Sequence, residues 1–519
     1  MIYIVISFIA AILLIVTFID LSQKKHTLKR NFPLLGRFRY IVEALGPPIR
    51  QYIIANNREE LPFNRSQRSW VYASSKGENN YEGFGTDKDI YAANYIFINP
   101  KMFPFKVEKE HINHSTKDPY FIPCAKVMGE SHKRKNPYRP YSIVNVSAMS
   151  YGSLSAQAIT SLNRGAALVG AYHNTGEGGL SPYHQQGADV IFHIGTGYFG
   201  CGITGEDGQR YFSFEKLEEL VINKYSKVKA IEIKLSQGAK PGKGGVLPAK
   251  KNSPEIAAIR GVDPYTDVLS PSYHTAFNNV RELVDFIEEI AYKTGLPVGI
   301  KSAIGDLEQW KELAEIMKKE NKGPDFITID GGEGGTGAAP PSFADHMALP
   351  WIYGFSEVYQ VFKEQGITND IVFIGSGKLG FPSEIMKAMA LGADLINVAR
   401  EAMLSIGCIQ AQECHTDKCP TGIATQNKWL SGGIDPTLKS VRFSKYIKTL
   451  RKETLEMTHA CGYEHPSQIK MKDIDISCGD NNRTITLEQA FKYEKQVVPF
   501  SSMLNLLQCE YLGGPSKII

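Results

Sequence analysis

The chain opens on an apolar stretch, residues 2–19, interrupted only by the polar side chains of Ser7 and Thr17. As a helix rising about 1.5 Å per residue, a stretch of this length reaches roughly 27 Å, the depth of a bilayer core. From residue 142 a different pattern takes over. Short β-branched runs end in glycine or a polar loop and give way to apolar residues at helical spacing. Eight such runs occur, at 142–148, 167–173, 189–194, 230–235, 297–302, 325–330, 371–375 and 394–399. Near-continuous apolar runs such as Ile-Val-Phe-Ile at 371–374 suit strands buried on both faces, as in a parallel sheet. Between them, residues 283–292 carry an amphipathic helical pattern, and 383–391 predicts a helix opening on a Ser383 cap.

Eight βα units in about 260 residues match the size of a (β/α)8 TIM barrel, with an open doubly wound sheet as the competing α/β arrangement. The loops decide between them. Residues 149–152, 174–179, 238–245 and 331–335 are glycine-rich or polar and all follow a strand end, so a barrel would gather them on one face. The expected organisation is a transmembrane helix at 1–22, an N-terminal region at 23–141, a barrel at 142–430 and a helical extension at 431–519 packed on the barrel. Within 23–141, residues 83–87 read as a turn.

Charge adds one feature. Lys and Arg number 58 against 54 Asp and Glu, an even balance that does not point to nucleic acid. Yet Lys24, Lys25, Lys29, Arg30, Arg37 and Arg39 follow directly on the apolar run, and no positive side chain precedes it. A cleavable signal peptide has the opposite arrangement. The positive-inside rule therefore predicts a single-pass protein of the cell membrane with the barrel in the cytoplasm. The eight cysteines form no regular disulfide framework, in keeping with a reducing compartment. Cys124, Cys201, Cys461, Cys478 and Cys509 stand alone and read as buried thiols.

The other three cysteines do not. Cys408, Cys414 and Cys419 fall within twelve residues, a density that suggests either an iron–sulfur site or a zinc site completed by His415. Just upstream, Gly375-Ser-Gly-Lys-Leu-Gly380 fits the pattern GxGxxG, as does Gly332-Glu-Gly-Gly-Thr-Gly337. Both sit too late in the series for a Rossmann unit, and Asp394 comes too early to hold a ribose. In a barrel, the loops after the last two strands suit a phosphate, here that of FMN. Lys301, ending an apolar strand, would point into the barrel mouth, where a cation can stabilise a reduced flavin. The loop 234–248 concentrates Lys234, Gln237, Lys240 and Lys243 among glycines, and Arg260 adds a fork for a carboxylate, so this side wants an anionic partner. Glu177 is the acidic group placed to face it.

These motifs together resemble the synthase domain of the glutamate synthase family. The resemblance runs from about Ser147 to Gln426 through Ser147-Ala-Met-Ser-Tyr-Gly-Ser153, Asn174-Thr-Gly-Glu-Gly-Gly179, residues 237–245, residues 330–339, Gly375-Ser-Gly-Lys378 and Cys408-x5-Cys414-x4-Cys419. It implies a barrel holding FMN, with Cys408, Cys414 and Cys419 ligating a [3Fe–4S] cluster in the segment 407–420. It implies flavin contacts from Ala148, Met149, Ser150, Asn174, His193, Lys234, Lys301, Gly332, Gly334, Gly335, Gly375, Ser376, Gly377, Lys378, Ala399 and Arg400. It further implies that Gln237, Lys240 and Arg260 bind 2-oxoglutarate, with Glu177, Lys240 and Gln237 at the reacting centre. His193 stands where the family would have a glutamine.

The activity so implied is condensation of ammonia with 2-oxoglutarate to 2-iminoglutarate, followed by hydride transfer from FMN to give L-glutamate. The family's large enzymes carry a glutaminase domain and further redox modules, none of which is evident here. Ammonia or a glutaminase partner, and an external electron donor such as ferredoxin or an NAD(P)H-oxidising flavoprotein, are therefore expected. Two other readings keep the cofactors but change the role: an oxidoreductase on another amino or imino acid, and a membrane electron-relay subunit.

Overall fold

The eight β-branched runs become eight parallel strands that close on themselves. The computed structural model describes residues 1–107, 120–223, 227–479 and 483–498. It divides into two units, Met1–Arg68 and Ser69–Ile519. The second contains the barrel strands β1 (Val144–Val146), β2 (His173–Asn174), β3 (Val190–Ile194), β4 (Val228–Lys234), β5 (Val298–Ser302), β6 (Phe326–Asp330), β7 (Val372–Ser376) and β8 (Leu395–Val398). Each pairs in parallel with its neighbours in chain order, and β8 closes on β1 through Ile396 opposite Val144. β1, β3 and β5 to β8 are buried along their whole length, so both faces of the sheet are covered and a near-continuous apolar run is what the position demands.

Two expectations shift in detail. The run at 167–173 contributes only its last residue to β2, because the preceding helix Ala156–Ala167 extends to its start. The chain then leaves the helix through Gly170 at φ +63°, where a Cβ would lie 2.7 Å from the Phe121 ring. Ser383 is not a cap. Pro382 takes the first position of helix Pro382–Leu391, where its missing N–H costs nothing, and Phe381 precedes it with no side-chain cap bond. The amphipathic run at 283–292 lies inside helix Val280–Thr294, capped by the Asn279 side chain and ended by Gly295 at φ +72°. Its face of Leu283, Val284, Phe286, Ile287 and Ile290 is buried, each side chain contributing about 1.5–3 kcal/mol.

The segment 122–139 closes the N-terminal end of the barrel, a role its sequence did not advertise. Aspartates immediately precede three strands: Asp189 before β3, Asp325 before β6 and Asp394 before β8. Each is met from this one segment. Tyr138 donates to Asp189 at 3.2 Å, and Lys126 Nζ bonds Asp394 Oδ2 at 2.9 Å. Arg134 Nε spans both oxygens of Asp325 at 3.1 and 3.0 Å, and its two Nη atoms reach Glu288 at 2.7 Å each. Of the residues 83–87, expected as a turn, 83–85 form bends, with Phe84 and Gly85 at positive φ.

Beyond the barrel, helix Pro436–Ala460 packs against Ala156–Ala167 at Gly165, where a Cβ would meet Phe443 at 2.7 Å. The extension is not wholly helical, however. Strand Ile474–Ser477 pairs antiparallel with Ile96–Ile98 on one side and Thr484–Thr486 on the other. The alternation in Ile-Asp-Ile-Ser is that of a half-buried strand, and its partner at 96–98 lies nearly four hundred residues earlier, beyond the reach of local pattern. Cys124, Cys201 and Cys461 are buried as expected, but Cys478 is exposed; Cys509 and the tail at 513–517 lie outside the described residues.

Lys126 and Asp394 are both buried, so deleting one leaves the other without its direct ion-pair partner. Lys126→Ala is expected to lower unfolding stability by about 3–5 kcal/mol. The double variant Lys126→Met/Asp394→Asn is expected to recover much of that loss. Denaturant titration of the two variants beside the parent measures both.

Candidate active site

Inside the barrel a single buried carboxylate organises the wall. Glu232 of β4 accepts from Asn174 Nδ2 of β2 at 2.7 Å, from Thr328 Oγ1 of β6 at 2.6 Å, and pairs with His193 Nδ1 of β3 at 2.8 Å. Burial would raise its pKa, but the bond from His193, the charge of Lys301 and the bond from Thr328 lower it. His193 is itself pushed down by burial against the opposing pull of Glu232, and it donates Nδ1–H to that carboxylate.

Two residues along the same strand, on the same face, Lys234 reaches out of the barrel end. Its Nζ donates to Glu177 Oε2 at 2.9 Å and to Gln237 Oε1 at 2.6 Å. Burial acts to raise Glu177, yet Lys234, then His193 and Lys240, hold it down at about 2. The stability this carboxylate contributes is therefore fully present above the ordinary glutamate range and is lost as pH falls toward about 2. The glycines around it leave it room: a Cβ at Gly195 would lie 2.8 Å from its Cβ, and one at Gly245 would lie 2.6 Å from Oε1.

Lys240 and Arg260 stand around the same carboxylate but are bound differently. Lys240 Nζ donates to the carbonyl of Ala338 at 3.2 Å, and Arg260 Nη2 to the carbonyl of Tyr151 at 3.2 Å. Arg260 also stacks 5.1 Å from the Phe199 ring centre, and its buried Nε has no hydrogen-bond partner. Burial lowers both cations, offset in part by the charge of Glu177. Glu177, Gln237, Lys240 and Arg260, predicted from separate motifs, thus converge.

On the adjacent strand β5, in register with Lys234, Lys301 Nζ lies 3.5 Å from Asp330 Oδ2, and Asp330 also accepts from Gly238 N at 2.9 Å and Ser376 Oγ at 2.8 Å. Burial would lower Lys301, but Asp330 and Glu232 raise it, so it is a firmly held cation. The glycine turns follow. Gly335 packs against the Arg400 side chain, Gly377 takes φ +146°, and Lys378 adopts φ +56°. Arg400 Nη2 bonds the carbonyl of Glu333. Lys378 is lowered by burial and then by the charge of Arg400, so two cations share this corner. The Trp351 ring lies against Gly375, with its buried Nε1 unpartnered. Such a corner is chemically suited to an anion.

Other predicted contacts are less directly placed. Met149 and Asn174 are joined through the backbone, Met149 N to Asn174 O at 3.3 Å, and Met149 O accepts from His184 Nε2 at 3.0 Å. Ser150 Oγ bonds Ser153 Oγ at 3.0 Å. Ala148 lies just beyond β1, Gly332 N bonds Leu349 O, and Ala399 leads into helix Arg400–Ser405.

Cys408, Cys414 and Cys419 share one loop after β8, but among the described residues no group of three or more His, Cys, Asp or Glu is set to hold a metal ion. Cys419 is nonetheless distinctive: burial acts to raise it, while the backbone N–H groups of Ala424, Thr421 and Ile423 bring it below the ordinary thiol. Lys251 Nζ ties the loop down through the carbonyls of Cys414 and Ala424, at 3.0 and 2.9 Å.

Glu232, Asp330 and Thr328 were not singled out in the sequence, although a carboxylate within Ala-Ile-Glu-Ile-Lys at 230–234 carries the same signal that marked Lys301: a charge in an apolar strand. Comparison with known proteins bears on the whole arrangement. Residues 91–464 match the family described as the conserved region in glutamate synthase. The chain is 39% identical over 476 residues to the glutamate synthase large subunit-like protein YerD of Bacillus subtilis (strain 168), covering 86% of this chain and 89% of that one. It is 35% identical over 323 residues to the archaeal-type glutamate synthase (NADPH) of Thermotoga sp. (strain RQ2), covering 62% of this chain and 59% of that one. Among solved structures, a mandelate oxidase with (S)-4-hydroxymandelic acid aligns with a TM-score of 0.42 at 13% identity, over 75% of this chain and 87% of that one. On the family match and the YerD relationship, the chain belongs to the glutamate synthase family.

Proposed function

We propose that this protein is a glutamate synthase-type oxidoreductase that reductively aminates 2-oxoglutarate to L-glutamate. The observation carrying this reading is that, among the described residues, Lys240 and Arg260, two buried cations flanking Glu177, have only carbonyl oxygens as hydrogen-bond acceptors. A substrate with two carboxylates would supply the missing anions, and the unpartnered Nε of Arg260 is a donor already in place for one of them. Gln237, its amide oxygen held by Lys234, has its amide nitrogen left to orient the 2-oxo group. Glu177, anionic down to about 2, is too weak a base to move protons at neutral pH. Its part is to stabilise the positive charge that develops when ammonia adds and the iminium forms.

The residues present fit FMN. Lys378, Arg400 and the glycine turns at 334–335 and 375–377 would hold its phosphate, and Lys301, Asn174 and His193 would face its ring system. FMN, when bound, supplies the hydride to the imine carbon. Lys301, paired to Asp330 and kept charged, would stabilise the added negative charge of the reduced ring. For the cysteine loop the support is chemical: three thiols in twelve residues, and one sulfur surrounded by N–H groups that favour a thiolate. We assign Cys408, Cys414 and Cys419 to a [3Fe–4S] cluster that passes electrons from an external donor, ferredoxin or a flavoprotein; ammonia is taken free or from a glutaminase partner.

We also assign helix Ile2–Ser22 to a membrane span. An 18-residue window of this 21-residue helix has a mean hydropathy of 3.0, and the helix is almost wholly exposed. The polybasic stretch after it supports an orientation with the barrel on the cytoplasmic side.

The decisive experiment uses the full chain in detergent, reduced anaerobically. Flavin reoxidation on adding 2-oxoglutarate with ammonia, coupled to glutamate formation, is expected; a flavin-loaded protein that stays reduced overturns the substrate assignment. Lys240→Ala is expected to weaken 2-oxoglutarate binding by about 10- to 100-fold, the worth of one charge-assisted hydrogen bond, with flavin absorbance unchanged. Cys414→Ala is expected to abolish the cluster's visible absorbance and EPR signal while the flavin is retained, and persistence of both signals would refute the ligand set.

A further inference from the structure

The first unit carries a second apolar surface that the span does not account for. After helix Ile2–Ser22 the chain turns through the short helix Thr27–Asn31 into helix Leu35–Ile49. One side of that helix is occupied. Gly36 lies so close to Thr27–Asn31 that a Cβ would sit 2.8 Å from the carbonyl of Leu28, and Tyr40 is covered by Lys29 Nζ at 4.6 Å and by the His26 ring at 5.5 Å. Arg37 grips the end of the span, its Nε 2.8 Å and its Nη2 2.7 Å from the carboxylate of Asp20, which also accepts from Leu34 N at 3.3 Å. Asp20 is buried by this clasp.

The other side is bare. Leu35, Phe38, Val42, Leu45 and Ile49 recur at spacings of three and four, which puts them on one face of the helix. All are exposed, Leu35 by 76% and Phe38 by 67%, and Ile53 and Ile54 continue the apolar surface at 76% and 71%. Between Leu21 and Val42 the chain has six Lys or Arg and no Asp or Glu.

We propose that helix Leu35–Ile49 is an interfacial helix that lies in the headgroup layer of the leaflet where the span ends and recognises anionic lipid. This rests on the reading of Ile2–Ser22 as a span and adds an occupant for a face that reading leaves uncovered. Three features select a bilayer surface. The apolar stripe is continuous in chain with a membrane-length helix, the Asp20–Arg37 clasp fixes it at that helix's end, and the charge that leads into it is predominantly positive, six Lys or Arg against the single Glu43 through the end of the helix, complementary to acidic headgroups. The span and a lipid-bound amphipathic helix together give two points of attachment, which constrain how the tethered segment leaves the membrane.

The test places tryptophan on the stripe. Full-length Phe38→Trp protein is reconstituted into phosphatidylcholine vesicles with and without phosphatidylglycerol, and its emission is compared with that of the parent chain, which has four tryptophans. Bromine near the top of the lipid chains is expected to quench the added emission, more strongly with phosphatidylglycerol present. Replacing Lys24, Lys25, Lys29 and Arg30 by Gln should remove that lipid dependence. Flotation and resistance to carbonate extraction establish independently whether the span has inserted. An inserted protein whose new tryptophan is open to aqueous iodide overturns the proposal. So does one shielded from both iodide and brominated lipid, which would mean that a second copy of the chain covers the stripe. Protein that fails to float overturns the span itself.

Discussion

The carboxylate of Glu232 is the interaction around which the catalytic end of this barrel is arranged. A buried carboxylate is costly unless its lone pairs are filled and its charge is countered. Here the partners come from other strands: Asn174 from β2, His193 from β3 and Thr328 from β6, with the charge of Lys301 from β5 favouring the ionised form. Satisfying one group therefore sets the positions of four side chains. It also sets the tautomer of His193, whose Nδ1 must carry the proton if Glu232 stays charged. The same strand then delivers Lys234 two residues later, so the geometry that satisfies Glu232 also aims the lysine that holds Glu177 and Gln237.

Charge is handled differently at the two ends. At the N-terminal end, Asp325 and Asp394 are met by Arg134 and Lys126 from one segment, closed pairs with nothing left to offer. This end holds the strands. At the other end the pairing is incomplete by design of the chain: Lys234 has Glu177 and Lys301 has Asp330, while Lys240 and Arg260 have carbonyls. Barrels divide stability and chemistry between their two faces in this way, and the division can be read from which buried ions lack a counter-ion.

The eight strands were legible because burial on both faces forces each of them to be apolar almost throughout, a signal that needs no alignment. β2 is the instructive exception. With two residues it leaves little pattern, and Gly170 ends the helix before it where the apolar run suggested the strand had begun. The pairing of 96–98 with 474–477 was hidden for another reason: each run is too short to identify alone, and only the closed chain brings them together. In the site, the residue types of Glu177, Gln237, Lys240 and Arg260 were visible, being charged or amide groups set among glycines. Their mutual distances were not, since Glu177 and Lys234 follow different strands. Glu232 was missed although it obeys the rule that flagged Lys301, because it lies within its strand and not at the end of it.

The strength of the Lys234–Glu177 pair limits what chemistry this site can do. A glutamate poised near neutrality could take a proton from ammonium and return it to product, but one held at about 2 cannot, at any pH where the barrel would work. What it offers instead is a fixed negative charge between cations, in a place where glycines at 195 and 245 keep bulk away from it. Fixed charges of that kind lower the barrier for a centre that becomes positive, as a ketone does on its way to an iminium. Any proton transfers must then be carried by ammonia, by water or by other groups; burial lowers Lys240 and the charge of Glu177 opposes that shift. Under the proposed reaction the division of labour is electrostatic for Glu177 and positional for Gln237, Lys240 and Arg260, whose carbonyl-bound donors would be turned to the substrate's carboxylates.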